Sequence, residues 1–272
     1  MKKISALEVF TKAFYFTFSS FDLIFLIFLI IGIASSISLS ILYFYPSRMI
    51  EIVDETSPTS IPGGRDIVLA NNFLIAWIGK SIFLFLVLVF CMTIAYLYVF
   101  SKKGRKVNLL KIVCNAKDYY AGMLILSLIT LSIFLISTIP FLIPSYGNHI
   151  SAVLTIISFF VLLIIALYIH LRLSLSFPIY LERKNVIKSL KESWKLMKGN
   201  VFKLFLIEIL IILISLGFTF VQTFISLPFY FLINVFARDV ALSIISSFFT
   251  SIIIVLSTSA STFFYFKIKG KK

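Results

Sequence analysis

Four ionisable side chains interrupt long apolar runs. Glu208 lies in LFLIEILIIL, His170 and Arg172 open HLRLSLSFPIYLE, and Lys80 lies in AWIGKSIFLF. A charge at the centre of a hydrocarbon layer costs about 2.5–3.5 kcal/mol on insertion scales, so such residues face an interior, pair, or line a proton or ligand path. Glu208 sits about two turns into its run, at a depth similar to that of Arg172, and a contact between them is expected. His170 lies slightly deeper than Arg172 and is the side chain that can titrate near neutrality. Two uses stay open for this group: a buried ion pair that fixes helix packing, and a substrate or proton site. Lys80 lies near the other end of its run. It either snorkels to the surface or takes part in an outward-facing cavity.

Chemistry of other kinds is missing. There is no Gly-x-Gly-x-x-Gly, phosphate loop, nucleophile elbow or His-Glu-x-x-His. The two histidines, His149 and His170, are far apart, and no Cys, His, Asp and Glu set has metal-ligand spacing. Cys91 falls in an apolar run and Cys114 in a basic stretch, so free thiols are expected. Glu51, Asp54, Glu55 and Asp66 share one connection, with no spacing that separates a metal site from a solvated loop. An enzyme ranks third among the function classes because this constellation is missing, and no cofactor or metal is expected.

The elements that carry these residues follow from composition. Of 272 residues, 60% are hydrophobic, 13% are charged and 31 are Phe. A soluble domain has roughly 45–50% apolar and about 25% charged residues. The excess cannot be hidden in one core, so most of it faces lipid. Six runs reach the roughly 20 apolar residues that a crossing helix needs: about 21–45, 73–100, 122–143, 151–175, 202–225 (with an extension beyond Pro228 to 236) and 242–268. Strands are excluded by run length, by the lack of alternation and by the need to close a barrel. The fold class is all-α, a polytopic membrane protein with six transmembrane helices. The first run is too long for a signal core and lacks a small-residue cleavage site, so it is retained. The stretch 46–72, with ETSPTSIPGG, is read as a turn-rich loop. Pro178 is expected to end or kink the fourth helix. The run STSAST, 257–262, suits close helix packing.

Charge orients the helices. Lys and Arg number 25 against 11 Asp and Glu, a net +14. Basic residues fill the N-terminal arm, the stretch 102–117, the stretch 183–198 and the tail from Lys267, while the intervening connections carry few or none. The alternation has no exception. By the positive-inside rule both termini are cytoplasmic and the chain is a multi-pass cell-membrane protein, with no nucleic-acid partner.

Three runs follow similar amphipathic stretches, 6–21, 108–123 and 185–200, which are expected as interfacial helices before helices 1, 3 and 5. In register, Ser20, Gly122 and Gly199 coincide. In the third, Asn185 can cap the start, Val186, Leu190, Trp194 and Met197 share a face, and Gly199 can stop the helix. Trp194 then sits at headgroup level, while Lys188, Lys191, Lys195 and Lys198 meet anionic lipid. The arrangement within a single membrane domain, 1–272, reads as a threefold hairpin repeat over 4–100, 107–175 and 185–268.

The stretch 172–205 resembles the membrane domain of glycerophosphoryl diester phosphodiesterase and related six-helix prokaryotic membrane proteins. The resemblance is carried by Arg172, Pro178, Glu182, Ser193, Trp194, Lys198 and Gly199. It implies an integral membrane protein. The catalysis of fused members belongs to a soluble domain, which is not expected in a chain ending at Lys272. The leading functional expectation is a membrane scaffold or lipid-interacting protein, with anionic lipids and a protein partner or second copy as partners. The alternative is a small transporter or channel with a polar site around Glu208 and Arg172.

Overall fold

A backbone in hydrocarbon must satisfy its own hydrogen bonds, and runs rich in Phe, Ile and Leu do so here as helices. The computed structural model describes residues 5–56, 64–102, 107–139, 149–231 and 234–270, with side chains over 5–40, 74–102, 107–139, 154–231 and 234–270. Its helices are α1 (Ala6–Ser19), α2 (Phe21–Thr56), α3 (Gly64–Ser101), α4 (Leu109–Ser137), α5 (His149–Leu173), α6 (Ser176–Arg183), α7 (Val186–Leu196), α8 (Val201–Ser226) and α9 (Val235–Lys269). A 3₁₀ turn, Leu227–Phe231, follows α8. Six segments are long and apolar enough to cross a membrane: Phe21–Ser40, Leu74–Ser101, Leu109–Ser137, Leu154–Arg183, Val201–Phe231 and Val235–Lys269. No described residue lies in a strand.

Two compact units emerge. Unit 1 comprises Met1–Ser19, Met92–Leu213 and Leu256–Lys272. Its core holds Ile94, Leu126, Leu175, Ile179, Met197 and Phe264, each essentially inaccessible. Unit 2 comprises Ser20–Cys91 and Ile214–Val255, with Leu23, Ile27, Cys91 and Val255 at its centre. Large apolar side chains stay exposed in both, Ile164 at 67% and Phe220 at 66%. Exposure on that scale belongs to a surface solvated by lipid.

Two boundaries differ from expectation, each for a local reason, and a third break falls just ahead of Pro178, as expected. The loop expected over 46–72 is largely helix, because α2 continues through Pro46 to Thr56 and α3 starts at Gly64. The side chains of Glu51, Asp54, Glu55, Asp66 and His149 lie outside the described ones. The stretch 108–123 is not a separate interfacial helix. It is the first part of α4, capped by Asn108, whose side chain accepts from the Leu110 amide at 3.0 Å. The chain breaks at Ser20, whose carbonyl takes the first amides of α2, and at Gly199, where φ is +81°. Gly122, in the equivalent place, has no positive φ and stays helical. Its use is close packing: a Cβ there would collide with the Tyr180 ring, 2.6 Å from Cε2. Finally, α5 ends before Pro178, at Leu173. A proline cannot donate to the carbonyl four residues back, which is Ser174, and its ring crowds that carbonyl. The break therefore falls at Ser174–Leu175, and Pro178 sits in the first turn of α6, where its missing N–H costs nothing.

Candidate functional site

The basic helix α7 is fixed to unit 1 by the end of α5. Tyr168 and Arg172 are four residues apart on α5, so they share a face. The Arg172 Nε and Nη2 atoms donate to the Tyr168 hydroxyl at 3.0 and 2.7 Å, and Nη1 donates to the Trp194 carbonyl at 3.1 Å. The guanidinium also lies over both rings, 5.2 Å from Tyr168 and 4.8 Å from Trp194. From α7, the Ser193 hydroxyl donates to the Arg172 carbonyl at 2.8 Å. Both the side chain and the main chain of Arg172 therefore hold α7.

The turn into α7 is equally specified. Lys184 closes α6 in the left-handed region at φ 52°, its amide donating to the Tyr180 carbonyl at 2.8 Å. Asn185 caps α7, its side chain accepting from the Lys188 amide at 3.0 Å. Arg183 pairs with Glu192 across the turn at 3.2 Å. Glu182 reaches α9, where Tyr265 and Lys269 both donate to it. Arg172, Pro178, Glu182, Ser193, Trp194 and Gly199 shape and hold this corner.

The face of α7 that packs on the bundle is its serine face. Ser189, Ser193 and Leu196 are buried, and Met197 just beyond is fully buried. Val186 and Leu190 are only half-buried, and Trp194 remains 43% exposed. Small serines let the helix approach the bundle closely, a signal present in the sequence as a Ser–Ser pair at i, i+4. Lys188, Lys191, Lys195 and Lys198 are all exposed.

Of the three intramembrane candidates in unit 1, Arg172, His170 and Glu208, no two pair with each other. Arg172 is committed to Tyr168 and Trp194, so the expected contact with Glu208 is not made. Glu208 is half-buried on α8 and makes no ion pair with a described residue; it lies within electrostatic reach of Tyr96 on α3. His170 is half-buried, its Nδ1 has no hydrogen-bond partner among the described residues, and its ring lies 5.2 Å from Phe134. The STSAST run of α9 packs as expected: Thr258, Ser259 and Thr262 are buried, and Thr262 donates to the Thr258 carbonyl at 2.7 Å.

Lys80 belongs to unit 2 and lines a cavity of about 520 Å³. Three helices meet it with one stripe each. From α2 come Ile31, Ser35, Ser38 and Leu39; from α3, Lys80, Leu84, Val87 and Leu88. From α9 come Asp239, Leu242, Ser243, Ser246, Ser247 and Thr250, and α8 adds Gln222. Each stripe repeats at three or four residues, the spacing of one helix face. Asp239 is paired with Arg238 at 3.1 Å. The hydroxyl wall escaped sequence reading because serines in apolar helices equally serve packing, as they do in STSAST.

Among the described residues, no three His, Cys, Asp or Glu side chains gather where they could hold a metal. Cys91 is buried and Cys114 exposed, both as free thiols. The fold defines an all-α, multi-pass membrane protein. No protein-family model, curated protein or solved structure matches the chain.

Proposed function

We propose that this protein is a lipid-interacting scaffold of the cell membrane, with both termini cytoplasmic and α7 lying along the cytoplasmic headgroups. The observation that carries this reading is the clamp on α7. Three exposed lysines of α7 and Lys198 just beyond it are held at the end of a membrane-crossing helix, with Trp194 half-open beside them. Near an anionic surface each lysine is worth about 1 kcal/mol, so four together favour anionic over zwitterionic lipid by about 4 kcal/mol before screening. The alternation of basic and non-basic connections supports the orientation. Membership of the phosphodiesterase membrane-domain group is proposed on the residue pattern of Arg172, Pro178, Glu182, Ser193, Trp194, Lys198 and Gly199 alone. A transport site around Glu208 and Arg172 has no support from the partners of Arg172. The test is lipid retention. Protein purified from mixed membranes should keep anionic lipid, and a variant with Lys188, Lys191, Lys195 and Lys198 changed to Gln should lose most of it. An unchanged lipid complement in that variant would sink the proposal.

A further inference from the structure

The cavity of unit 2 is independent of α7, and its chemistry is two-sided. At one end are Lys80, Gln222 and Asp239. The Asp239 carboxylate is already held by Arg238. Lys80 makes no ion pair or hydrogen bond with a described residue, nor does the Gln222 amide. This end is therefore left with an uncompensated positive charge. An ammonium in an apolar setting without a partner is costly, and an anion supplied from outside would relieve it.

Away from that end the walls diverge. On α3 they are apolar, with Leu84, Val87 and Leu88. On α9 they are hydroxyls. Ser247 donates to its own helix, to the Ser243 carbonyl at 2.7 Å, and Ser38 on α2 likewise to Ser35 at 2.8 Å. The hydroxyls of Ser35, Ser246 and Thr250 make no hydrogen bond with a described residue. They are donors in search of acceptors. From Asp239 to Thr250 the α9 stripe runs about 16 Å at 1.5 Å per residue.

The volume, about 520 Å³, lies well inside the range for small-molecule sites, about 300–1,000 Å³. A bare inorganic anion would occupy a small part of it and leave the apolar wall unused. We propose that the cavity binds a phosphate-bearing amphiphile, a phospholipid end, with Lys80 as the partner of the phosphate. The free hydroxyls of α9 and α2 take the glycerol and ester oxygens, and the α3 wall takes the start of an acyl chain. Lys80 suits this as a point charge on a flexible stem.

Binding to the full chain in detergent micelles tests this by native mass spectrometry, with dioctanoyl-phosphatidylglycerol, dioctanoylglycerol and inorganic phosphate as separate probes. The phosphatidylglycerol should bind saturably. Lys80→Gln should weaken it by about 10- to 100-fold, as expected for loss of a charge-assisted bond, and Lys80→Arg should stay within a few-fold of wild type. Ser246→Leu, which fills the cavity and leaves the charge alone, should weaken binding as strongly. Changing Lys188, Lys191, Lys195 and Lys198 to Gln should leave this affinity intact, which separates the site from the α7 reading. Wild-type affinity in both Lys80→Gln and Ser246→Leu would overturn the proposal. So would dioctanoylglycerol binding as tightly as the phospholipid, since that needs no anion site. Inorganic phosphate matching the phospholipid, with the same loss in Lys80→Gln, would overturn the amphiphile and make the site one for a free anion.

Discussion

Removing the Arg172 side chain should release α7 without unfolding unit 1. In Arg172→Ala the Trp194 carbonyl loses its donor at 3.1 Å and the indole loses the guanidinium 4.8 Å away. A charge-assisted bond at a half-exposed site is worth about 1 kcal/mol, below the 1.5–3 of buried ones, and an exposed cation–π contact about 0.5–1. The bonds to Tyr168 lie within α5 and do not hold α7. The bond from Ser193 to the Arg172 carbonyl survives, because it uses the main chain. The opening free energy of α7 should fall by about 2 kcal/mol, which is about thirtyfold in amide exchange. Arg172→Lys keeps a cation over the indole and loses the fork, so about half the energy and about fivefold in exchange are expected. The assay is hydrogen–deuterium exchange of the full chain in nanodiscs, followed peptide by peptide. Unchanged exchange in α7 would refute the clamp. An equal rise across α8 and α9 would refute it too, since it would show a global loss of stability.

Other consequences concern the joints of unit 1. Gly122→Ala should lower stability by about 1–3 kcal/mol by driving a methyl into the buried Tyr180 ring, and Tyr180→Leu in the same chain should restore part of it, both read by thermal unfolding in detergent. Glu182→Ala should cost more than Glu182→Gln, by about 1–2 kcal/mol in the same assay. The amide oxygen can still accept from the buried Tyr265 hydroxyl, whereas alanine leaves it unpaired. The Glu8 carboxyl is held below its ordinary 4.5 by hydrogen bonds from Lys267 first and Lys12 second. A lowered carboxyl pKa stabilises the fold above the unfolded value and ceases to do so as pH falls through the folded one. The difference in thermal midpoint between wild type and Glu8→Gln should therefore be constant above pH 4.5 and vanish on further acidification. A difference that persists in acid would mean that Glu8 acts by packing.

The helices were legible because the bilayer leaves a backbone few choices. A run such as 201–226 has to be helical whatever its neighbours are. Helix ends depend on single residues, and there local reading succeeded at Asn185 and Gly199. It failed at Gly122, because a glycine stops a helix only when the chain turns to positive φ. What keeps Gly122 is the ring of Tyr180, a partner distant in sequence. The polar site was legible in depth and not in azimuth. Glu208 and Arg172 could be placed at one level of the bilayer, but which way each side chain points depends on how α5 and α8 rotate as they pack. The aromatic pair Tyr168 and Trp194 offered Arg172 two ring faces and two oxygens, which local spacing could reveal for Tyr168 at i−4 and not for Trp194. Lys80 stood out as a lone cation, while the hydroxyls around it come from helices far apart in the chain.

The central claim is that α7 lies among anionic headgroups, and Trp194 reports on it directly. Trp77 is the other tryptophan, so Trp77→Phe leaves Trp194 as the single fluorophore. In liposomes carrying a headgroup-level spin label, labelled phosphatidylglycerol should quench Trp194 more strongly than labelled phosphatidylcholine. The difference should shrink at about 1 M salt, where screening reaches about 3 Å, and disappear when Lys188, Lys191, Lys195 and Lys198 are changed to Gln. Equal quenching by the two lipids at low salt, or quenching of Trp194 only by a soluble aqueous quencher, would contradict the account.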